Sequence, residues 1–109
     1  MAAPVSLLQG TLDVLILKAL IWGPRHGYAV ARFLEDATGH ELQIEEGSLY
    51  PALYRMEGKG WIRAEWGTSE LGRKVKLYSL SPAGRKRLRE QMSEWTRFSS
   101  LVNRVLALS

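Results

Sequence analysis

Cysteine is absent from the chain of 109 residues, and histidine occurs only at positions 26 and 40. The absence of cysteine excludes a disulfide framework, a thiolate zinc site and a cysteine nucleophile. No glycine-rich loop joins a strand to a helix, and the adjacent carboxylates of Glu45 and Glu46 point in different directions on a helix. We therefore expect a protein that is not an enzyme and that holds no metal or cofactor.

Long hydrophobic runs are also missing. The longest nearly apolar stretch, residues 14–22, is interrupted by Lys18 and is too short to span a bilayer. Residues 1–8 lack the basic start of a cleavable signal peptide. These features predict one soluble, cytoplasmic domain with a small core.

Positive charge is concentrated in the last third of the chain. Residues 1–72 carry six Lys/Arg and nine Asp/Glu, a net charge of −3, whereas residues 73–109 carry nine and two, a net charge of +7. This asymmetry favours a polyanion-binding surface near the basic part, although a charge run is also typical of a solvated face.

Hydrophobic periodicity predicts two helices in the first 40 residues. The first runs from Leu7 or Thr11 to Trp22, where Gly23-Pro24 ends it, and the second runs from His26 or Gly27 to Thr38, where Gly39 ends it. The predicted buried side of the first helix consists of Leu8, Leu12, Leu15, Ile16, Ala19 and Leu20.

A third helix is predicted between residues 45 and 61. Its apolar stripe consists of Leu49, Leu53 and Met56. Pro51 has no N–H and fits best in the first helical turn, so we place the N-cap near Ser48, or two residues earlier. Gly58 and Gly60 provide the stop.

Two strands and a long helix complete the chain. Residues 61–66 and 74–80 alternate apolar and polar side chains at period two, which predicts paired strands joined by a projecting loop, or wing, over residues 67–73. Ser81-Pro82 is a strong start signal for a helix that runs to about Leu106, roughly 37 Å at about 1.5 Å per residue.

The last helix carries an apolar stripe that a domain of this size cannot cover. Its members are Leu88, Met92, Trp95, Phe98, Val102 and Leu106. A second copy of the chain, related by a two-fold axis, is the simplest cover for this stripe. The alternative is a helix folded back on its own core.

This order of elements is that of a winged helix-turn-helix: mainly α with a two-stranded β-hairpin, and here a long C-terminal dimerisation helix. The motifs LLQGTLDVLILK (7–18), GPRHGY (23–28), GSLYPALYRME (47–57), GWI (60–62) and LSPAGR (80–85) resemble the PadR family of bacterial transcriptional regulators. The resemblance extends from Leu7 to about Trp95. It implies a DNA-binding domain over residues 1–81 and a dimerisation helix over residues 82–109, as in the short members of that family.

The resemblance further implies a homodimeric repressor whose third helices enter successive major grooves of an inverted-repeat operator in double-stranded DNA. The candidate DNA-contacting residues are Ser48, Tyr50, Pro51, Tyr54, Arg55, His26, Tyr28, Arg73, Lys74 and Lys76. Arg55 can bind a guanine edge through two hydrogen bonds, whereas the wing cations suit phosphates. Because residues 45–61 carry more acidic than basic side chains, attraction to DNA must come mainly from the wing and, if the geometry allows, from the last helix.

Several residues permit a second interpretation. Tyr50 or Tyr54 can be partly buried, Arg55 can pair with Glu57 or Glu46, and His26 can simply cap its helix. Trp95 resembles a tryptophan that stacks on flat aromatic effectors in some relatives, although a tryptophan on an interface stripe is ordinarily there for packing, and we favour that interpretation. The rival function is a winged-helix module for protein–protein assembly, which meets a partner protein through its third helix.

Overall fold

The structure is a computed structural model that describes residues 9–109. The elements are α1 (Gln9–Ala19), β1 (Arg25–His26), α2 (Gly27–Ala37), α3 (Glu46–Gly58), β2 (Ile62–Thr68), β3 (Lys74–Leu80) and α4 (Pro82–Leu106). This is the predicted winged helix-turn-helix followed by one long helix. The predicted helix start at Leu7 and the predicted burial of Leu8 lie outside the described residues.

The core lies between α1, α2 and α3 and is closed by the base of the wing and the start of α4. Its fully buried side chains are Ile16, Leu17, Leu20, Val30, Leu49, Leu53, Met56 and Ile62. Burial of each contributes about 1.5–3 kcal/mol before the loss of chain entropy is counted. On α1, Leu15 is only partly buried, whereas Leu17, which the periodicity did not select, is fully buried.

The predicted N-cap near Ser48 is wrong, and the alternative of a start two residues earlier is nearer to the structure, because α3 begins at Glu46 with Glu45 as its N-cap. The Glu45 carbonyl accepts from the N–H groups of Ser48 (3.0 Å) and Leu49 (2.9 Å). Pro51 consequently lies inside the helix rather than in its first turn. Its missing N–H deprives the Gly47 carbonyl of an intrahelical partner, and the helix tolerates this because both residues are exposed to solvent.

The predicted glycine stop of α3 is confirmed. Gly60 takes a left-handed conformation, with φ of 76°. Its N–H donates to the Glu57 carbonyl (3.0 Å), and the N–H of Trp61 donates to the Met56 carbonyl (3.1 Å). This is a Schellman motif, which turns the chain directly into the wing.

The sheet has three strands in the order β1-β3-β2, whereas the sequence predicted a two-stranded hairpin. β2 and β3 pair antiparallel from Ile62↔Leu80 to Thr68↔Lys74 and form the wing. β1 pairs with the other edge of β3 through Arg25↔Tyr78 and His26↔Leu77. A strand of two residues is too short to show a period, so hydrophobic alternation could not reveal it.

Helix α4 begins as predicted, with Ser81 as its N-cap. The Ser81 hydroxyl accepts from the N–H of Gly84 (3.0 Å) and donates to the Gly60 carbonyl (2.5 Å). Gly84 packs against the Trp61 carbonyl so closely that a Cβ would overlap that oxygen. These contacts attach the start of α4 to the turn between α3 and the wing.

Burial along α4 changes after its first three turns. Gly84, Leu88 and Gln91 are buried, and every residue from 92 to 109 except Ser99 is exposed. The assignment of Leu88 to the dimer contact is therefore wrong, because its own core covers this side chain and leaves it 2% exposed. The predicted division at residue 82 follows the start of the helix, whereas the packing changes near residue 91.

No helix within residues 9–109 has both the length and the apolarity needed to cross a membrane.

Candidate nucleic-acid interface

The start of α2, Tyr50 of α3 and the inner face of the wing surround one open groove. Its lining includes His26, Tyr28, Tyr50, Trp66, Lys74 and Lys76. The β1–β3 pairing creates this arrangement, because it holds His26 beside Leu77 of the wing. Six of the ten predicted DNA-contacting residues line this groove, namely His26, Tyr28, Tyr50, Arg73, Lys74 and Lys76. The other four, Ser48, Pro51, Tyr54 and Arg55, all lie on α3 and do not line it.

The predicted division of α3 into a packed stripe and a presented face is confirmed. Leu49, Leu53 and Met56 are buried, and Tyr54 is 80% exposed. Tyr50 is 44% exposed, because its ring packs against Gly27 at the start of α2, where a Cβ would come within 2.8 Å of the ring. Partial burial therefore applies to Tyr50 and not to Tyr54. Ser48 and Pro51 are also exposed.

Arg55 is not free to meet a base as the sequence predicted. Its Nη1 donates to Oδ2 of Asp13 (2.8 Å) and its Nη2 donates to Oδ1 (2.6 Å). The Asp13 side chain is only 6% exposed, and the hydrogen bond to it is the main cause that raises the pKa of Arg55 above its ordinary value. Neither suggested alternative, Glu57 or Glu46, is the partner. The available signal was an aspartate next to Leu12 on the core side of α1.

The wing presents its cations on the groove side. Lys74 lies opposite Thr68, and Lys76 lies opposite Trp66, so these four side chains share one face of the hairpin. Lys74 is exposed, as is Arg73. Lys76 lies 3.6 Å from the Glu57 carboxylate at the end of α3, and both side chains are about one-third or more exposed. A solvent-screened pair of this kind contributes about 0–1 kcal/mol, so phosphate can displace it at little cost.

The start of α2 combines a helix cap with a stacked aromatic pair and one arginine. His26 Nδ1 accepts from the N–H of Ala29 (3.2 Å), which confirms the capping interpretation of this residue. Its ring stacks on that of Tyr28, with centroids 6.2 Å apart and planes 9° apart. Arg32, which the sequence reasoning missed, donates to the Tyr28 hydroxyl (3.0 Å) and is exposed. Arg32 follows Tyr28 by four residues, and this spacing on a helix could have indicated that the two side chains meet.

Trp66 and Leu71 are two further surface residues that the sequence reasoning did not select. Trp66 is 69% exposed and lies on the same face of β2 as the buried Ile62, but beyond the edge of the core. Leu71, near the apex of the wing, is 82% exposed. Period-two alternation from Ile62 would have identified Trp66 as a groove residue.

The second half of α4 exposes the remaining predicted interface stripe. Met92, Trp95, Phe98, Val102 and Leu106 are between 36% and 76% exposed, and Leu101 and Val105 widen this apolar face. The rings of Trp95 and Phe98 are tilted, with centroids 6.5 Å apart. A continuous apolar face of this kind typically marks an interaction surface.

Comparison with known proteins places this geometry in a family. A family model described as the transcriptional regulator PadR-like family matches residues 16–90. An uncharacterized protein X of Lysinibacillus sphaericus is 30% identical over 98 residues, which is 90% of each chain.

Solved structures give the same result. A transcriptional regulator from Clostridium thermocellum superposes with a TM-score of 0.81 at 29% identity, over 88% of this chain and 93% of that one. A PadR-like transcriptional regulator from Bacillus cereus superposes with a TM-score of 0.78 at 30% identity, over 94% of this chain and 97% of that one. The chain belongs to the PadR-like family of transcriptional regulators.

Proposed function

We propose that this chain is a homodimeric repressor that binds double-stranded DNA at an inverted-repeat operator. The observation that carries the proposal is the groove in which the start of α2, Tyr50 of α3 and the wing meet, beside the exposed residues of α3. A helix fits the major groove of B-DNA, and α3 presents Tyr54, Pro51 and Ser48 on its free side. We therefore take α3 as the recognition helix.

In this proposal, affinity for DNA and selection of the DNA sequence come from different elements. With Arg55 bound to Asp13, the exposed face of α3 offers tyrosine and serine hydroxyls, which bind base edges but attract phosphate weakly. Electrostatic attraction comes from Arg73 and Lys74 on the wing, with Lys76 and the α2 start beside them. Thus α3 recognises the DNA sequence, and the wing and the start of α2 bind phosphate.

The apolar face of α4 provides the dimer contact. A two-fold axis along this face pairs Trp95, Phe98 and Val102 of one protomer with those of its partner and covers side chains that are otherwise in water. The two recognition helices then lie on one face of the DNA, about 34–36 Å apart if they occupy successive major grooves. Occupation of a promoter by this dimer blocks transcription. Trp95 also remains the candidate stacking surface for a flat aromatic effector.

Salt dependence tests the proposal. The parent protein is titrated against duplexes from its own promoter region at several salt concentrations, beside Lys74→Ala and Arg63→Ala. Arg63 is the matched control, because it is exposed on the other face of the same hairpin. We expect Lys74→Ala to weaken binding to every duplex and to reduce the slope of log K against log salt by about 1, with little change for Arg63→Ala. Failure to bind any duplex at low salt would reject the repressor and favour the protein–protein assembly module.

A further inference from the structure

A partly buried ion pair joins the recognition helix α3 to α1, the helix that packs against α2, α3 and α4. Arg55 and Asp13 are 42 residues apart in sequence, and Arg55 donates from Nη1 to Oδ2 of Asp13 (2.8 Å) and from Nη2 to Oδ1 (2.6 Å). The Asp13 side chain is 6% exposed and that of Arg55 is 29% exposed. The other ion pairs of residues 9–109 are longer, at 3.5–3.8 Å, and more exposed.

The geometry of this pair fixes the orientation of the Arg55 guanidinium relative to the Asp13 carboxylate, as well as the distance between them. Two parallel hydrogen bonds hold the planar guanidinium and the carboxylate in one relative orientation, which a single contact does not. Buried ion pairs often add little net stability because both charges lose their hydration, so their value lies more in specifying one arrangement. Arg55 directly follows Tyr54, which is 80% exposed on the recognition face. Rotation of α3 that breaks the pair therefore also turns Tyr54.

The pair also connects α3 to the dimer helix. Asp13 lies on α1, and α1 packs against both α3 and α4. Asp13 is therefore on the helix that connects the recognition helix to the helix of the predicted dimer contact. We propose that Arg55 is a positioning residue, which acts through Asp13 to set the orientation of α3 for sequence discrimination. This inference rests on the proposed DNA-binding function.

The test uses the full chain and a DNA probe that it selects itself. The parent protein enriches a duplex from a randomised library, and its affinity for that duplex is compared with its affinity for a scrambled duplex of equal composition. Arg55→Lys and Asp13→Asn are then measured on both duplexes, alone and combined. Ile16→Val, a core substitution on the same helix as Asp13, controls for reduced stability, and urea unfolding is followed for every variant.

We expect Arg55→Lys and Asp13→Asn each to weaken binding to the enriched duplex by about tenfold, with less than about twofold change on the scrambled one. The double variant should lose little more than either single variant, because the same contact is broken in all three. Ile16→Val should lower the urea midpoint and leave the ratio of the two affinities unchanged. An unchanged ratio in both pair variants overturns the inference, as does additive loss. If the parent enriches no sequence, the proposed function itself fails.

Discussion

The phenols of Tyr78 and Tyr54 lie in opposite surroundings. Tyr78, on the central strand of the sheet, is 6% exposed, whereas Tyr54 is 80% exposed on α3. Burial is the main cause that raises the pKa of Tyr78 above its ordinary value, because the phenolate is harder to solvate there. The same residue type thus serves the core at one position and the surface at the other.

A pH dependence of stability follows for Tyr78. The folded state holds the phenolic proton more tightly than the unfolded state, whose tyrosines ionise near about pH 10. This contribution to the free energy of unfolding is therefore complete below about pH 10 and is lost as the pH rises beyond it. Urea unfolding from pH 8 upward should show a decline that Tyr78→Phe reduces and Tyr54→Phe leaves unchanged. If the free energy of unfolding declined equally in Tyr78→Phe and Tyr54→Phe, the loss of stability at alkaline pH would come from other groups.

The role of Arg55 shows where sequence reasoning stops at the residue scale. Its position beside the apolar stripe of α3 was read correctly, and its charge made base contact the natural prediction. The carboxylate that binds it lies on α1, and no local spacing connects residues 13 and 55. Tyrosine, serine and proline on the exposed face of α3 followed directly from helical periodicity, because that face depends only on local geometry.

At the scale of elements, strong local signals were read correctly and weak ones were not. The bounds of β3 and α4 agree with the prediction, since alternation marks the strand and Ser81-Pro82 marks the helix start. The start of α3 was misplaced because Pro51 suits a first turn but is tolerated where its missing bond faces solvent. β1 was not predicted, because its two residues form a strand only through their pairing with β3.

The contact between α4 and the turn before the wing gives a prediction at this scale. In Gly84→Ala the new methyl group meets the backbone carbonyl of Trp61, which cannot move aside as a side chain can. We expect the free energy of unfolding to fall by about 1–3 kcal/mol, the usual cost of overpacking. Gly58→Ala is the matched control, because its added Cβ has no neighbour within 4 Å and φ is not positive there. Equal stability of the two variants would contradict the close packing.

At the scale of the whole molecule, the elongated shape and the uneven charge have the same origin. The chain extends over 57 × 36 × 22 Å, longer than its core requires, because the second half of α4 leaves that core. Most of the positive charge lies on β3 and α4, after the recognition helix. The sequence predicted this apolar helix but not where its burial ends, because its packing against α1 joins residues that are distant in sequence.

The exposed face of α4 yields the last prediction, that the protein is a dimer which one charge can dissociate. Trp95 is 51% exposed in the single chain, so Trp95→Glu should fold normally yet place an unpaired carboxylate in the proposed contact on both protomers. We expect the dimer dissociation constant to rise by at least about tenfold, or about 1.4 kcal/mol. Ser93→Glu, which adds the same charge off the apolar stripe, should remain dimeric. Light scattering after size exclusion measures both masses, and a monomeric parent, or a Trp95→Glu protein that stays dimeric, would exclude this face as the dimer contact.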